Sequence, residues 1–243
     1  MSSRQEFLDR IAKAVGRDAG SPAEHRQPAT GFPHLGPVMP PIGPDDLIPK
    51  FEEELWKVSG CAHRAGSPAE LTETLRTLLK SYETKRVVLS RNPLLTQVRV
   101  PQRLQELGIA ATVWSGARDE PSGPAAQRFR EEAFAAEVGI TGVDWVLAES
   151  GTLILSSFTE GAQLASLAPP VHVALYRRSQ VLASLEEVLE RLPDLAEPSE
   201  AALGRSIVFV TGVSRTADIE QILVRGVHGP RELHAILVEE SCL

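Results

Sequence analysis

Trp145-Val146-Leu147-Ala148-Glu149-Ser150-Gly151-Thr152-Leu153-Ile154-Leu155 is the stretch whose reading decides the fold. Two apolar runs, each too short for a helix, flank Glu149-Ser150-Gly151-Thr152. Apolar runs of this length across so short a polar gap read as the two strands of a hairpin. A hairpin places antiparallel pairing in a sheet. Working outward, the pattern becomes strand alternating with helix. Upstream lie a strand at Arg86–Ser90, a helix at Pro101–Leu107, a strand at Ile109–Trp114 and a helix at Ala125–Val138. Downstream follow a short helix at Gly161–Leu167, a strand at Val171–Tyr176 and a helix at Ser184–Leu192, with Ser184 and Glu187 as its capping box. A strand at Ile207–Val210, a helix at Thr216–Leu223 and a strand at Leu233–Val238 complete the order. This alternation implies an α/β fold, a mixed sheet covered by helices.

Nearer the N-terminus, Ser67-Pro68-Ala69-Glu70 supplies an N-cap, a proline at the first helical position and a capping carboxylate. Leu71, Leu75, Leu78 and Leu79 follow at helical spacing. Leu47–Val58 reads as another helix, with Phe51 and Leu55 on one face. Ser3 and Glu6 form a further capping box, and Phe7, Ile11 and Val15 line one stripe before Gly16. Between Pro22 and Pro49 lie eight of the chain's 18 prolines, a composition that builds no core and favours an extended linker. Two regions result: residues 1–49, a helix and proline-rich linker, and residues 50–243, the α/β domain. The stripe of the first helix needs a partner. It either folds back on its own domain or crosses to a second copy as an arm, which would make a homo-oligomer.

The chain has 243 residues and a net charge of −7, which argues against a general binder of nucleic acid or membrane surface. Hydrophobic residues are 42% and charged residues 23%, enough apolar material for a sizeable core. The longest uncharged runs contain prolines, so no membrane span is expected. The first 17 residues are charged throughout and lack the apolar stretch of a signal peptide, so a cytoplasmic protein is expected. Cys61 and Cys242 cannot supply an iron–sulfur motif or a CxxC pair. The last of five lysines is Lys85, and neither a P-loop nor a G-x-G-x-x-G run occurs. The residues therefore imply no cofactor.

Three segments could carry chemistry. Glu149, Ser150, Gly151 and Thr152 gather a carboxylate, two hydroxyls and a close-approach glycine at a strand end. Glu149 is the candidate base, nucleophile or ligand anchor; the plainer reading is a solvated turn. The second segment is Thr211-Gly212-Val213-Ser214-Arg215-Thr216-Ala217-Asp218. It follows the apolar strand IVFV and is expected to open a helix. Gly212, Ser214, Arg215, Thr216 and Asp218 would hold an anion there, or Ser214, Thr216 and Asp218 would simply cap it. In the third, Arg225-Gly226-Val227-His228-Gly229-Pro230, His228 is a candidate proton-transfer group and Gly229 a ligand contact, although a histidine in a turn also serves structure alone. A metal set of His228, Glu232 and His234 is disfavoured, because Gly229-Pro230 interrupts the spacing. The three loops are expected to converge in one cleft.

Read together, TGVDWVLAESGTLIL, LAPPVHVALYR and IVFVTGVSRTADIEQILVRGVHGPRELHAILVEE resemble the lactate-utilisation (LUD) domain family, and its short C-type members most closely. The likeness runs from Gly139 to Glu239 and extends weakly to REFLDRIAKAVGR and the proline-rich linker. Val213 stands where the family commonly has proline, and Ser150 where it often has threonine. The resemblance implies a fold similar to the sugar-isomerase, CoA-transferase and ribose-phosphate-isomerase superfold. It also implies a part in oxidising L-lactate to pyruvate beside iron–sulfur partner proteins. Two functions follow: an accessory component or subunit of that assembly with a small-anion pocket, or a stand-alone enzyme on a sugar phosphate or acyl-CoA using Glu149. The resemblance assigns no catalytic role to a single residue, only the location of the candidates at Glu149–Thr152, Ser214–Asp218 and His228–Gly229.

Overall fold

The computed structural model describes residues 40–115, 123–191, 206–217 and 223–243, together with the helical positions Glu6 and Arg10. The chain divides into the units Met1–Pro40 and Pro41–Leu243. The expected helix from Ser3 to Gly16 falls on residues otherwise outside those described, as do the possible arm and most of the linker.

In the second unit, α1 (Leu47–Lys57) buries Ile48, Phe51 and Leu55 at the expected spacing. β1 (Cys61–Ala65) and α2 (Pro68–Ser81) follow. The cap of α2 forms as its sequence requires. The Ser67 hydroxyl accepts from the Glu70 amide at 3.2 Å, and Glu70 accepts from the Gly66 amide at 2.8 Å. Next come β2 (Arg86–Leu89), α3 (Pro93–Gln97), α4 (Val100–Glu106), β3 (Ala110–Val113), α5 (Pro124–Ala135) and β4 (Val138–Thr141). β5 (Trp145–Leu147), β6 (Thr152–Ser156), α6 (Ser157–Glu160), α7 (Leu164–Leu167), β7 (Val171–Tyr176), β8 (Val181–Leu182) and α8 (Leu185–Arg191) continue the chain. β9 (Ile207–Thr211), β10 (Arg215–Ala217), β11 (Leu223–Arg225) and β12 (Glu232–Val238) end it.

Six strands form a wholly parallel sheet in the order β1-β12-β7-β4-β2-β3. A second sheet, β8-β5-β6-β9, holds the hairpin, with Trp145 opposite Ile154 and Leu147 opposite Thr152. Antiparallel pairing is thus confined to the smaller sheet and the β10-β11 ribbon. One face of the parallel sheet presents Val171, Val173, Leu175, Ile236 and Val238 to α2, α3 and α4. The other presents Ala174, Tyr176, Leu233, Ala235 and Leu237 to α1 and to Val146, Leu153 and Leu155 of the second sheet. Phe51 meets Tyr176 edge-on at 5.2 Å in this layer. α5 and α7 cover Val88, and α8 covers the outer side of β5 and β6 through Val188. Cover on both faces leaves β4 and β7 buried at every position, including Thr141 and His172.

Two expectations need correction. The helix expected to reach Val138 ends at Ala135, and Val138–Thr141 is a central strand. Glu137 makes the break: its carboxylate accepts from the Lys85 and Arg86 amides at 3.0 and 2.7 Å, which ties the helix exit to β2. At the two ends of the helix expected at Thr216–Leu223 the chain is instead a ribbon, with Arg215 opposite Arg225 and Thr216 opposite Val224, residues 218–222 lying outside those described. The β-branched Thr216 and Val224 face each other across this ladder. Finally, β1, α3 and β8 carry no periodicity long enough to declare them. Among the described residues no helix is long and apolar enough to cross a membrane.

Candidate functional site

The chain leaves β2 toward β3 on one side, then returns across β2 to lay down β4, β7 and β12 on the other. Such a reversal opens a crevice beyond the carboxyl ends of the strands. A cavity of about 300 Å³ lies there, lined by Asn92 and Gln97 after β2, Asp144 and Trp145 after β4, Thr159 of α6, and Arg177 and Gln180 after β7.

Each polar group in this wall is placed by a short local device. Asn92 caps α3, its Oδ1 accepting from the Leu94 amide at 3.0 Å, and Pro93 takes the first helical position. Gly142 lets Asn92 in, because a Cβ there would stand 2.2 Å from the asparagine side chain. Asp144 Oδ2 accepts from the Ser156 amide at 2.6 Å, and the Thr159 hydroxyl donates to the same carboxylate at 3.0 Å. Gln180 donates to the Val143 and Asp144 carbonyls at 2.5 and 3.2 Å and accepts from the Arg177 amide at 2.8 Å. Arg177 Nη2 donates to Gln97, while its Nε is buried without a hydrogen-bond partner.

Behind this wall sits Glu160, 0% exposed. Its Oε1 accepts from Asn92 Nδ2, and the Thr159 hydroxyl lies 3.5 Å from the same oxygen. Its Oε2 has no hydrogen bond of good geometry. Burial pushes the Glu160 pKa up to about 7; hydrogen bonding from Ser90 and Asn92 tempers the rise, and the Asp144 charge adds to it. Asp144 is itself raised above the ordinary 3.8 by burial, against the pull of Ser156 and Thr159. The result is a cavity lined by one arginine and one carboxyl group, Asp144, with a second desolvated carboxyl group, Glu160, behind it near the same threonine hydroxyl. Such a wall can hold an anion on the arginine and a proton on a carboxyl.

The residues singled out from sequence lie elsewhere. Thr152 pairs with Thr211, so the 149–151 turn and the Gly212 loop sit side by side at the end of the second sheet remote from Asp144 and Ser156. Ser150, Thr152 and Thr211 form a hydroxyl chain with 2.8 Å steps. Gly151 and Gly212 press on α1, at Leu55 and Val58. The Ser214 amide donates to the Pro230 carbonyl at 2.9 Å, and Gly229 abuts the Ser214 side chain. The structure thus brings Ser150, Gly151, Thr152, Gly212, Ser214 and Gly229 into one neighbourhood. Glu149 points its carboxylate at the Leu185 amide, 2.7 Å away, and caps α8. His228 is exposed. Arg215 opens a strand rather than a helix and donates to Ser59, and Thr216 lies in the ribbon. Asp218 lies outside the described residues. Among the described residues no group of three His, Cys, Asp or Glu side chains is arranged to hold a metal ion.

Sequence reading missed Asn92, Asp144, Glu160 and Arg177. The available signal was positional: each follows or closes an apolar segment, and Asn92-Pro93 is a helix-start signature.

Fold and cavity define the class: a parallel α/β sheet with a polar crevice at its carboxyl edge. The chain belongs to the LUD domain family, whose model matches residues 48–238. It is 30% identical to a lactate utilization protein C of Halalkalibacterium halodurans over 237 residues, covering 98% of each chain. It is 28% identical to the protein of that name from Bacillus pumilus, covering 99% of this chain and 98% of the relative. A solved DUF162 family protein from Deinococcus radiodurans shares the fold, with a TM-score of 0.58, 23% identity, and coverage of 82% of this chain and 99% of that one.

Proposed function

We propose that this protein serves lactate utilisation as an accessory component or subunit of a cytoplasmic iron–sulfur assembly that oxidises L-lactate to pyruvate. It binds a small anion while electrons pass through partner chains. The named relatives support the pathway. The two distant cysteines support the division of labour, since a cluster ordinarily takes four thiolates. The observation that carries the binding role is Arg177, which lines the carboxyl-edge cavity and whose Nε is buried and unpartnered. We place the anion there in preference to the hydroxyl-rich loops at Ser150–Thr152 and Gly212–Thr216, because Arg215 is exposed and already donates to Ser59.

Affinity purification of the tagged full chain from lactate-grown cells tests this reading. Partners carrying stoichiometric iron and sulfide should come with it, and deletion of its gene should abolish growth on L-lactate. A chain that returns alone, from cells that still grow on lactate without it, overturns the proposal. The two carboxyl groups beside the cavity favour a second reading, a stand-alone enzyme on a sugar phosphate or acyl-CoA, with Asp144 rather than the capping Glu149 as base. Turnover of such a substrate by the isolated chain, lost in Asp144→Asn, separates the two.

A further inference from the structure

We propose that the carboxyl-edge cavity takes up a small carboxylate together with a proton, the proton being held by the Asp144–Thr159–Glu160 unit in and behind the cavity wall. This inference rests on the reading of Arg177 as the anchor of the anion.

Among the described residues lining the cavity, Arg177 is the one cation and Asp144 the one carboxylate. The wall is therefore neutral before anything binds. A carboxylate seated on Arg177 leaves a surplus negative charge in a partly desolvated space. Charges there interact several-fold more strongly than in water. The surplus is relieved if a carboxyl group nearby accepts a proton.

Glu160 is built to accept it. It is fully buried, so its charged form lacks water. Its Oε1 is held by Asn92, and its Oε2 makes no hydrogen bond of good geometry. Asn92 and Thr159 border the cavity and also touch Glu160, so the ligand charge is separated from Glu160 by one layer of side chains. The groups facing Glu160 come from every neighbouring element. After β2 stand the Ser90 hydroxyl, Asn92 and Arg91, whose amide donates to the Glu160 carbonyl and whose guanidinium donates to the Phe158 carbonyl. After β4 stand the Gly142 amide and Asp144, and within α6 the Thr159 hydroxyl. Arg177 follows β7. The remaining polar lining, Gln97 and Gln180, is neutral.

Proton linkage sets the expected size and sign. With a pKa of about 7, Glu160 is about half protonated at neutral pH before binding. An arriving anion raises that pKa, so binding draws in up to about half a proton. Near pH 5 Glu160 already carries its proton and the uptake falls away.

The test is calorimetry of the full chain with L-lactate, pyruvate and inorganic phosphate as separate probes, in two buffers of unlike ionisation enthalpy. At pH 7 the heats for lactate or pyruvate should differ between buffers by the equivalent of about half a proton, and at pH 5 they should agree. Glu160→Gln should bind with equal heats in both buffers, and Arg177→Met should bind about tenfold or more weakly. Binding with buffer-independent heats in the wild type overturns the proton coupling and leaves the anion pocket standing. Phosphate binding without carboxylate binding overturns the ligand class. If no probe binds, or Arg177→Met binds as the wild type does, the pocket reading fails with it.

Discussion

Glu160→Gln should make the protein more stable at alkaline pH. The folded chain holds the Glu160 proton with a pKa of about 7, against an ordinary value of 4.5. The folded form therefore binds that proton more tightly than the unfolded form does. Stability is complete below about pH 4.5, declines as pH rises toward 7, and levels off beyond. At roughly 1.4 kcal/mol for each tenfold in proton affinity, the full decline is about 3 kcal/mol. Glutamine has nearly the same shape and keeps an acceptor for Asn92 Nδ2, but it carries no charge to desolvate. Urea unfolding across pH 5 to 8 should show the variant gaining on the wild type as pH rises. The two curves should lie within about 1 kcal/mol at pH 5 and separate by about 2–3 kcal/mol at pH 8. Asp144, also raised, and the depressed His172 and His234 act on both chains alike and drop out of the difference. Parallel curves would refute the assignment of the slope to Glu160.

Gly151→Ala should destabilise the chain by about 2–4 kcal/mol, read by thermal melting, because its φ is +64° and the new Cβ would stand 2.3 Å from the Leu55 amide of α1. Arg177→Met should weaken anion binding while Arg215→Met leaves it unchanged; the reverse order in a binding titration would return the anion to the ribbon. On the acid side, burial lowers the His172 pKa to about 3 and that of His234 to about 4. A depressed basic group withdraws stability as pH falls below its ordinary 6.5, so in Glu160→Gln, where the opposing Glu160 contribution is gone, melting temperature should drop steadily from pH 6.5 to 4, and a level profile would contradict it. Tyr82→Phe removes the hydroxyl 2.7 Å from His234 Nε2 and should cost about 1 kcal/mol by urea unfolding at pH 7.

The order of helices and strands was largely legible because its signals are local. Ser67, Pro68 and Glu70 start α2, and the gap between Leu147 and Leu153 makes a hairpin wherever it is placed in the fold. The partition into two sheets was not legible. It depends on β6 pairing with β9, more than 50 residues on, rather than with the parallel sheet. The loop residues misled for a related reason. Ser, Thr, Gly and Glu at a turn look alike whether they bind a ligand or cap a neighbouring element, and Glu149 is engaged by a helix that begins 36 residues later. The carboxyl-edge cavity was hidden because Asn92, Asp144, Glu160 and Arg177 come from four segments that meet only when β2, β4 and β7 lie side by side.

The parallel sheet buries titratable groups both within its strands and beyond their carboxyl ends, yet with opposite consequences. Within the strands, His63 Nε2 lies 3.0 Å from His234 Nδ1, and His172 lies 2.8 Å from the Thr141 hydroxyl. These imidazoles are stable as neutral rings at neutral pH, so they act there as ordinary hydrogen-bonding core. At the carboxyl ends Glu160 sits where neutral pH leaves it divided between two protonation states. A glutamine would hold Asn92 as well and would not cost the fold about 3 kcal/mol in alkali. A chain that carries a carboxyl group there, behind a cavity lined by an arginine with a buried free N–H, keeps a group whose distinctive property is that it gains and loses a proton near neutrality. That property has a use only if something entering the cavity shifts it.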